Sequence, residues 1–206
     1  MVAQQPDHDP IIQKFRKWVD DNSVEGALGD TDKPNTRFMT DDHLEKCLQD
    51  VIPTIDLLRV LWDHDPDLPR VQPKDIDAKC RKGFAILLLM GMGKYIGHFI
   101  QHDSLWDNHM PFEGKAAPSD FPTTDTYPNF FEKFVERQWQ FFPHRFHDGV
   151  DAHLPPQRIL PIKSKELIGT GGFAKSYKIE IHAGYGPSPP DQVQVYLSRY
   201  PLHSHC

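Results

Sequence analysis

Apolar positions recur at three- and four-residue spacing through most of the chain, then switch to strict alternation near its end. Residues 11–20 (IIQKFRKWVD) place Ile11, Ile12, Phe15, Trp18 and Val19 on one helical face. A loop is expected next, around Gly26, Gly29, Asp30 and Pro34. Thr40 can cap a helix over DDHLEKCLQDVI, and Pro53 interrupts it or opens a second segment, TIDLLRVLW. The stretch DHDPDLPRVQP reads as loop, Asp63-His64-Asp65 included. Pro73 opens the longest helical candidate, about Lys74 to Gln101. Its middle, AILLLMGMG, is apolar all round and is expected to be the buried element. Gly91, Gly93 and Gly97 weaken that helix and let another element approach closely. Residues 104–128, rich in Pro, Asp and Thr, predict an irregular surface loop. Asn129 to Phe142 (NFFEKFVERQWQFF) predicts an aromatic amphipathic helix stopped by Pro143.

HRFHDGVDAHLPPQ reads as a linker, with the boundary at Pro155-Pro156. Beyond it, Tyr177, Ile179 and Ile181 alternate with Lys178, Glu180 and His182, the mark of a strand with one buried face. The expected class is therefore α+β: a mainly helical region over 1–157 and a β-hairpin region over 158–206. A two-stranded hairpin is marginal in water. Residues beyond about 184 are thus expected to be loosely held unless the stretch around Val193 to Leu197 forms a third strand.

Charge refines this division. The chain of 206 residues carries a net charge of −6. Residues 158–206 are at +3 and the rest at −9. An acidic body is a poor match for nucleic acid or an anionic membrane, so neither is expected as a partner. The longest apolar run, Phe84 to Met92, falls far short of the roughly 20 residues a spanning helix needs. Met1 to Pro10 is polar and acidic, unlike a signal peptide. Cys47, Cys80 and Cys206 have no motif spacing, which suits a reducing compartment. An intracellular protein, cytoplasmic or nuclear, is expected, with any protein partners engaged through the helical region.

One motif carries chemistry: Glu166-Leu167-Ile168-Gly169-Thr170-Gly171-Gly172-Phe173-Ala174-Lys175-Ser176-Tyr177-Lys178. It fits the dinucleotide fingerprint, the P-loop with Ala174 for its second glycine, and the protein-kinase loop G-x-G-x-x-G with Ala174 in third place. The first two need a helix after the loop, whose N-terminus holds the phosphate. Here the continuation, SYKIEIHAGYGPSPP, alternates as a strand and ends in a turn at Gly184, Gly186 and Pro187. Strand, glycine loop, strand is the kinase arrangement, in which backbone amides cover the phosphates. A β-hairpin whose glycines only turn the chain is the simpler alternative.

ILPIKSKELIGTGGFAKSYKIEIHAGY resembles the opening of a protein-kinase N-lobe of the serine/threonine type. AILLLMGMGKYIGHFIQHDSLWDNHMPF and ERQWQFFPHRF extend the resemblance to kinase-like proteins of filamentous fungi, in which a helical region precedes the kinase domain. The resemblance implies an incomplete kinase-like N-lobe. Gly169, Gly171 and Gly172 would offer amides to the phosphates of ATP, with Thr170 between them, Ile168 would cover the adenine, and Phe173 would cap the tip. Ala174 replaces the third glycine, and Ser176 stands where the family usually has a valine against the adenine.

The rest of the kinase machinery is missing from the sequence. The candidate third strand has no Lys, no Asp-Phe-Gly follows, and His144-Arg145-Phe146 and His147-Asp148-Gly149 precede the loop. No catalytic residue is assigned, ATP binding is expected to be weak, and Mg is not expected to bind. The tail LSRYPLHSHC matches nothing in that family, so the chain is expected to be a truncated, inactive fragment whose parent transfers phosphoryl groups from ATP to protein Ser/Thr. The alternative is a non-catalytic helical interaction module with a structural hairpin. His98 and His102, four apart, lack a third metal ligand in pattern, and no metal site is expected there. The terminal His203-Ser204-His205-Cys206 is expected to be a flexible end.

Overall fold

The computed structural model describes residues 9–28, 31–114, 116–125, 127–146, 155–170, 174–186 and 194–199. The architecture is α+β, as the change of period implies. The chain forms two compact units: Met1–Val24 with Phe38–Phe142, and Glu25–Arg37 with Pro143–Cys206. The second unit takes in Glu25–Arg37 from the N-terminal region and resumes at Pro143.

In the first unit, α1 (Pro10–Asn22) starts at a proline in its first turn, with the Asp9 carboxylate accepting from the Ile11 amide at 2.8 Å. Its buried positions, Ile12, Phe15 and Val19, are those of a single stripe. α2 (Asp41–Lys46) is capped by Thr40 as expected, the His43 amide donating to its Oγ1, and continues as a π-turn to Val51. α3 (Thr54–His64) follows Pro53 and buries Leu57, Leu58, Val60 and Leu61. It takes in Asp63 and His64, which the sequence assigns to loop.

The long helix expected from Lys74 to Gln101 is instead broken. A short α4 (Pro73–Asp75) and a π-turn lead into α5 (Arg81–Leu89), and α6 (Ile96–Gln101) follows separately. Gly91 is the physical reason. It takes φ 72°, a conformation that suits glycine. Its amide donates to the Leu88 carbonyl at 3.2 Å, and the Met92 amide to the Leu87 carbonyl at 2.7 Å. This crossed pair of bonds closes a helix C-terminus. Gly93 meets the expectation of close approach: a Cβ there would lie 3.0 Å from Leu61 Cδ2. The apolar middle is buried as expected, Phe84 through Leu88 throughout.

α7 (Phe130–Gln138) ends four residues before the expected Phe142, the chain continuing as a turn. The stretch 104–128 is irregular, but it is not simply surface: Leu105, Met110 and Phe121 are buried. Phe121 meets Phe130 and Phe131 edge-on, each with centroids 5.0 Å apart. Gln138, fully buried, both accepts from the Phe112 amide and donates to its carbonyl, each at 2.8 Å, tying this stretch to α7.

The second unit holds two antiparallel sheets. β1 (Val24–Leu28) and β2 (Thr31–Phe38) cover most of the segment read from sequence as loop. With β3 (Ile159–Leu160) they form a sheet of order β2-β1-β3, in which Ala27 pairs with Leu160 and Leu28 with Ile159. Partners so distant in sequence explain why the local pattern, dotted with Gly and Pro, gives no strand signal. β4 (Ile162–Thr170), β5 (Ala174–Ile181) and β6 (Gln194–Arg199) form the other sheet in that order. β6 is the third strand that the sequence leaves open, and residues 194–199 pair antiparallel with β5.

Candidate functional site

β4 and β5 flank the glycine-rich segment, and their register positions its ends. Leu167 pairs with Tyr177, Gly169 with Ser176 and Thr170 with Lys175. β4 therefore has one residue more than β5 between the first two pairs, and that residue is Ile168. An extra residue of this kind is a β-bulge, which twists the strand and re-aims side chains. Leu167 and Ile168 are the exposed large apolar side chains among the described residues, at 52% and 51%. Gly169 is half-buried and Thr170 exposed. Ala174 opens β5 and pairs with Arg199, while Ser176 also pairs with Leu197 of β6. The loop tip, Gly171, Gly172 and Phe173, lies outside the described residues. Of the eight residues expected at a nucleotide site, the register thus brings Gly169 and Ser176 directly opposite each other, and places Ile168, Thr170 and Ala174 at the strand ends.

β5 continues as a strand for its full length, and its alternation is as read: Ile179 is buried, Lys178 and Glu180 exposed. Charged side chains decorate the outer surface. The Lys163 ammonium lies 2.6 Å from Glu180 and, with the Ser164 hydroxyl, holds that carboxyl below the usual range. The Lys165 ammonium sits 4.0 Å from the Tyr177 ring centroid. At the far end Gly184, at φ 81°, makes the expected turn, and Tyr185 is buried there. The Phe146 amide donates to the Tyr185 carbonyl at 2.8 Å and Arg145 Nη1 to the Gly184 carbonyl at 3.0 Å. The segment 144–146 is thus a brace for the hairpin.

The other sequence candidates fall elsewhere. His98 and His102 stack at 4.2 Å, the His98 Nε2–H donating to the Asp120 carbonyl and the His102 Nδ1–H to the His98 carbonyl. Among the described residues no group of three or more His, Cys, Asp or Glu could hold a metal ion. No described helix is long and apolar enough to cross a membrane. Cys47 and Cys80 are buried free thiols, both pushed up to about 12 by burial. His147 to Gly149 and the terminal His203 to Cys206 lie outside the described residues.

One cluster has no counterpart in the sequence reading. In the first unit, Ala78, Lys79, Lys82, Trp106, Asp107, Asn108 and Phe142 line a cavity of about 440 Å³. The Asp107 carboxylate accepts from the amides of Lys82 at 2.8 Å and Gly83 at 2.9 Å. Burial raises its pKa to about 6, against the pull of those two hydrogen bonds and of the Lys82 and Arg81 charges. Asp107 sits in an irregular stretch (DSLWDNHMP) with no period or motif to mark it.

Comparison with protein-family models, with curated proteins and with solved structures gave no significant match.

Proposed function

We propose that the segment from β4 to β5 is a nucleotide-phosphate loop of the protein-kinase type, and that the chain binds ATP weakly without transferring its phosphoryl group. The observation that carries this reading is the strand that follows the glycines. β5 runs from Ala174 to Ile181, where a dinucleotide fingerprint or a P-loop requires a helix. The continuation into β6 as a three-stranded meander supports the same reading.

The register supports this chemistry. Gly169 faces Ser176 across the ladder, so neither strand end carries a large side chain at that pair. Backbone amides of Gly169, Gly171 and Gly172 would then approach phosphate oxygens without a Cβ between. Ile168, half exposed at a bulge, offers an apolar surface for the adenine. A serine at 176, where the resembled family usually has a valine, is a small polar residue, which weakens that grip. The parent activity would be ATP-dependent phosphoryl transfer to protein Ser/Thr, but such transfer also needs a base, a strand lysine and a metal-binding Asp. Those motifs do not follow the loop in this sequence, and Mg is not expected to bind.

Calorimetric titration of the full chain with ATP tests the reading. A dissociation constant no tighter than about 1 mM is expected, near −4 kcal/mol. Gly171→Asp, which places a carboxylate among the phosphate-facing amides, should abolish it. Binding unaffected by that substitution would favour the alternative, a helical interaction module with a structural hairpin. Radiolabel transfer from ATP to the chain or to generic protein substrates should be absent. Transfer that survives purification and disappears in Gly171→Asp would contradict the non-catalytic half of the proposal.

A further inference from the structure

The cavity of the first unit is built unlike a gap in packing. Its walls include two aromatic rings, and each has an ammonium group over its face. Lys79 Nζ lies 4.6 Å from the Trp106 ring centroid, and Lys82 Nζ 4.8 Å from that of Phe142. The charges around it are unequally matched. The Lys82 ammonium is 2.6 Å from Asp41 Oδ1, so those two offset each other. Asp107 is turned onto the two amides at the start of α5, with one oxygen on each. Arg81 is drawn to Glu45 at 3.1 Å and to Asp77 at 3.8 Å. Lys79 has no carboxylate within ion-pair distance among the described residues. It is the lysine at this cavity whose charge is not already met by a carboxylate.

We propose that this cavity binds a small organic monoanion with an apolar, preferably aromatic, body. Lys79 supplies the countercharge, and the Trp106 and Phe142 rings supply the apolar walls. The volume, about 440 Å³, lies within the range of roughly 300–1,000 Å³ usual for small-molecule sites, and such sites combine apolar walls with few polar groups. An ammonium already held over an aromatic ring is oriented before the anion arrives, so little side-chain freedom remains to be lost on binding. A dianion is disfavoured, because Asp41 lies 2.6 Å from Lys82 and Asp107 itself lines the cavity, and both would repel a second negative charge. This site is separate from the glycine-rich loop and does not depend on how that loop is used.

Phenylacetate is a suitable probe, with neutral phenylacetamide as its isostere. Titration of the full chain by calorimetry at neutral pH should give saturable one-to-one binding of phenylacetate and at least about tenfold weaker binding of the amide. Lys79→Met keeps the apolar stem over Trp106 and removes the charge, so it should weaken phenylacetate about tenfold while leaving the amide unchanged. Lys79→Arg should restore most of the affinity. Thermal melts of both variants, unchanged from the parent, separate a lost site from a lost fold. Absence of saturable phenylacetate binding in the parent chain would overturn the proposal. So would equal affinity for the amide, or Lys79→Met binding phenylacetate as tightly as the parent.

Discussion

Asp107 shows how much one side chain can impose on this fold. It is a carboxylate buried beside the first turn of α5, where two amides at the helix start donate to it. Anions are favoured at such an end. Burial nevertheless prevails, and the folded-state pKa rises from 3.8 to about 6. A raised acid binds its proton more tightly in the folded than in the unfolded chain. Its contribution to stability is therefore complete below the unfolded value and is lost as pH rises through the folded one. From the shift, that loss is about 3 kcal/mol between about pH 4 and pH 6. Urea unfolding across this range should show the midpoint falling as pH rises. Asp107→Asn should flatten that slope, whatever it does to absolute stability, and a slope unchanged in the variant would assign the titration to another group. Asp77, also raised by burial, contributes in the same direction and would remain in the variant. None of this was legible in the sequence. The caps that were legible, such as Thr40 before α2, act on residues three or four positions away, whereas Asp107 acts across 24 and 25 residues.

At the scale of elements, amphipathic stripes located the helices well and their ends poorly. Of the stripe on α1, Ile12, Phe15 and Val19 are buried while Ile11 and Trp18 are half-buried, and α3 buries Leu58, Val60 and Leu61 together with Leu57. The stretch from Lys74 to Gln101 looked like one helix because its middle is apolar on every side, leaving no stripe whose drift would reveal a break. The three glycines were the available signal. Glycine composition implies weakening and close approach, and Gly91 goes further by terminating the helix with a left-handed residue. An alanine at Gly91 must adopt φ 72° or lose the crossed hydrogen bonds from Gly91 and Met92. Gly91→Ala should therefore cost roughly 1–2 kcal/mol in chemical denaturation. A neutral result would mean that α5 can extend through this position and that the break is not enforced by its glycine.

At the scale of the whole molecule, the second unit draws on two distant stretches of chain. β1 and β2 precede most of the helices, yet β1 pairs with β3 more than 100 residues later. A local reading could not join them, since only the pairing itself makes a strand of a segment containing Gly26, Gly29 and Pro34. The β4–β5 hairpin was legible, because alternation along one strand and a glycine turn are local properties. β6 was legible only as a possibility, and its six pairings with β5 extend the hairpin to three strands. The site is legible to the same degree. The register positions its strand ends, and Gly171, Gly172 and Phe173 between them lie outside the described residues.

The central claim is that the amides of the glycine-rich loop meet phosphate. Amide chemical shifts of the isotope-labelled full chain, followed as ATP is added, test it most directly. The account predicts progressive shifts at Ile168 to Ser176, with a midpoint of about 1 mM or weaker, and no comparable change along α1 to α7. Shifts confined to the helices, no shifts at the loop at saturating ATP, or loop shifts that persist unchanged in Gly171→Asp would contradict it.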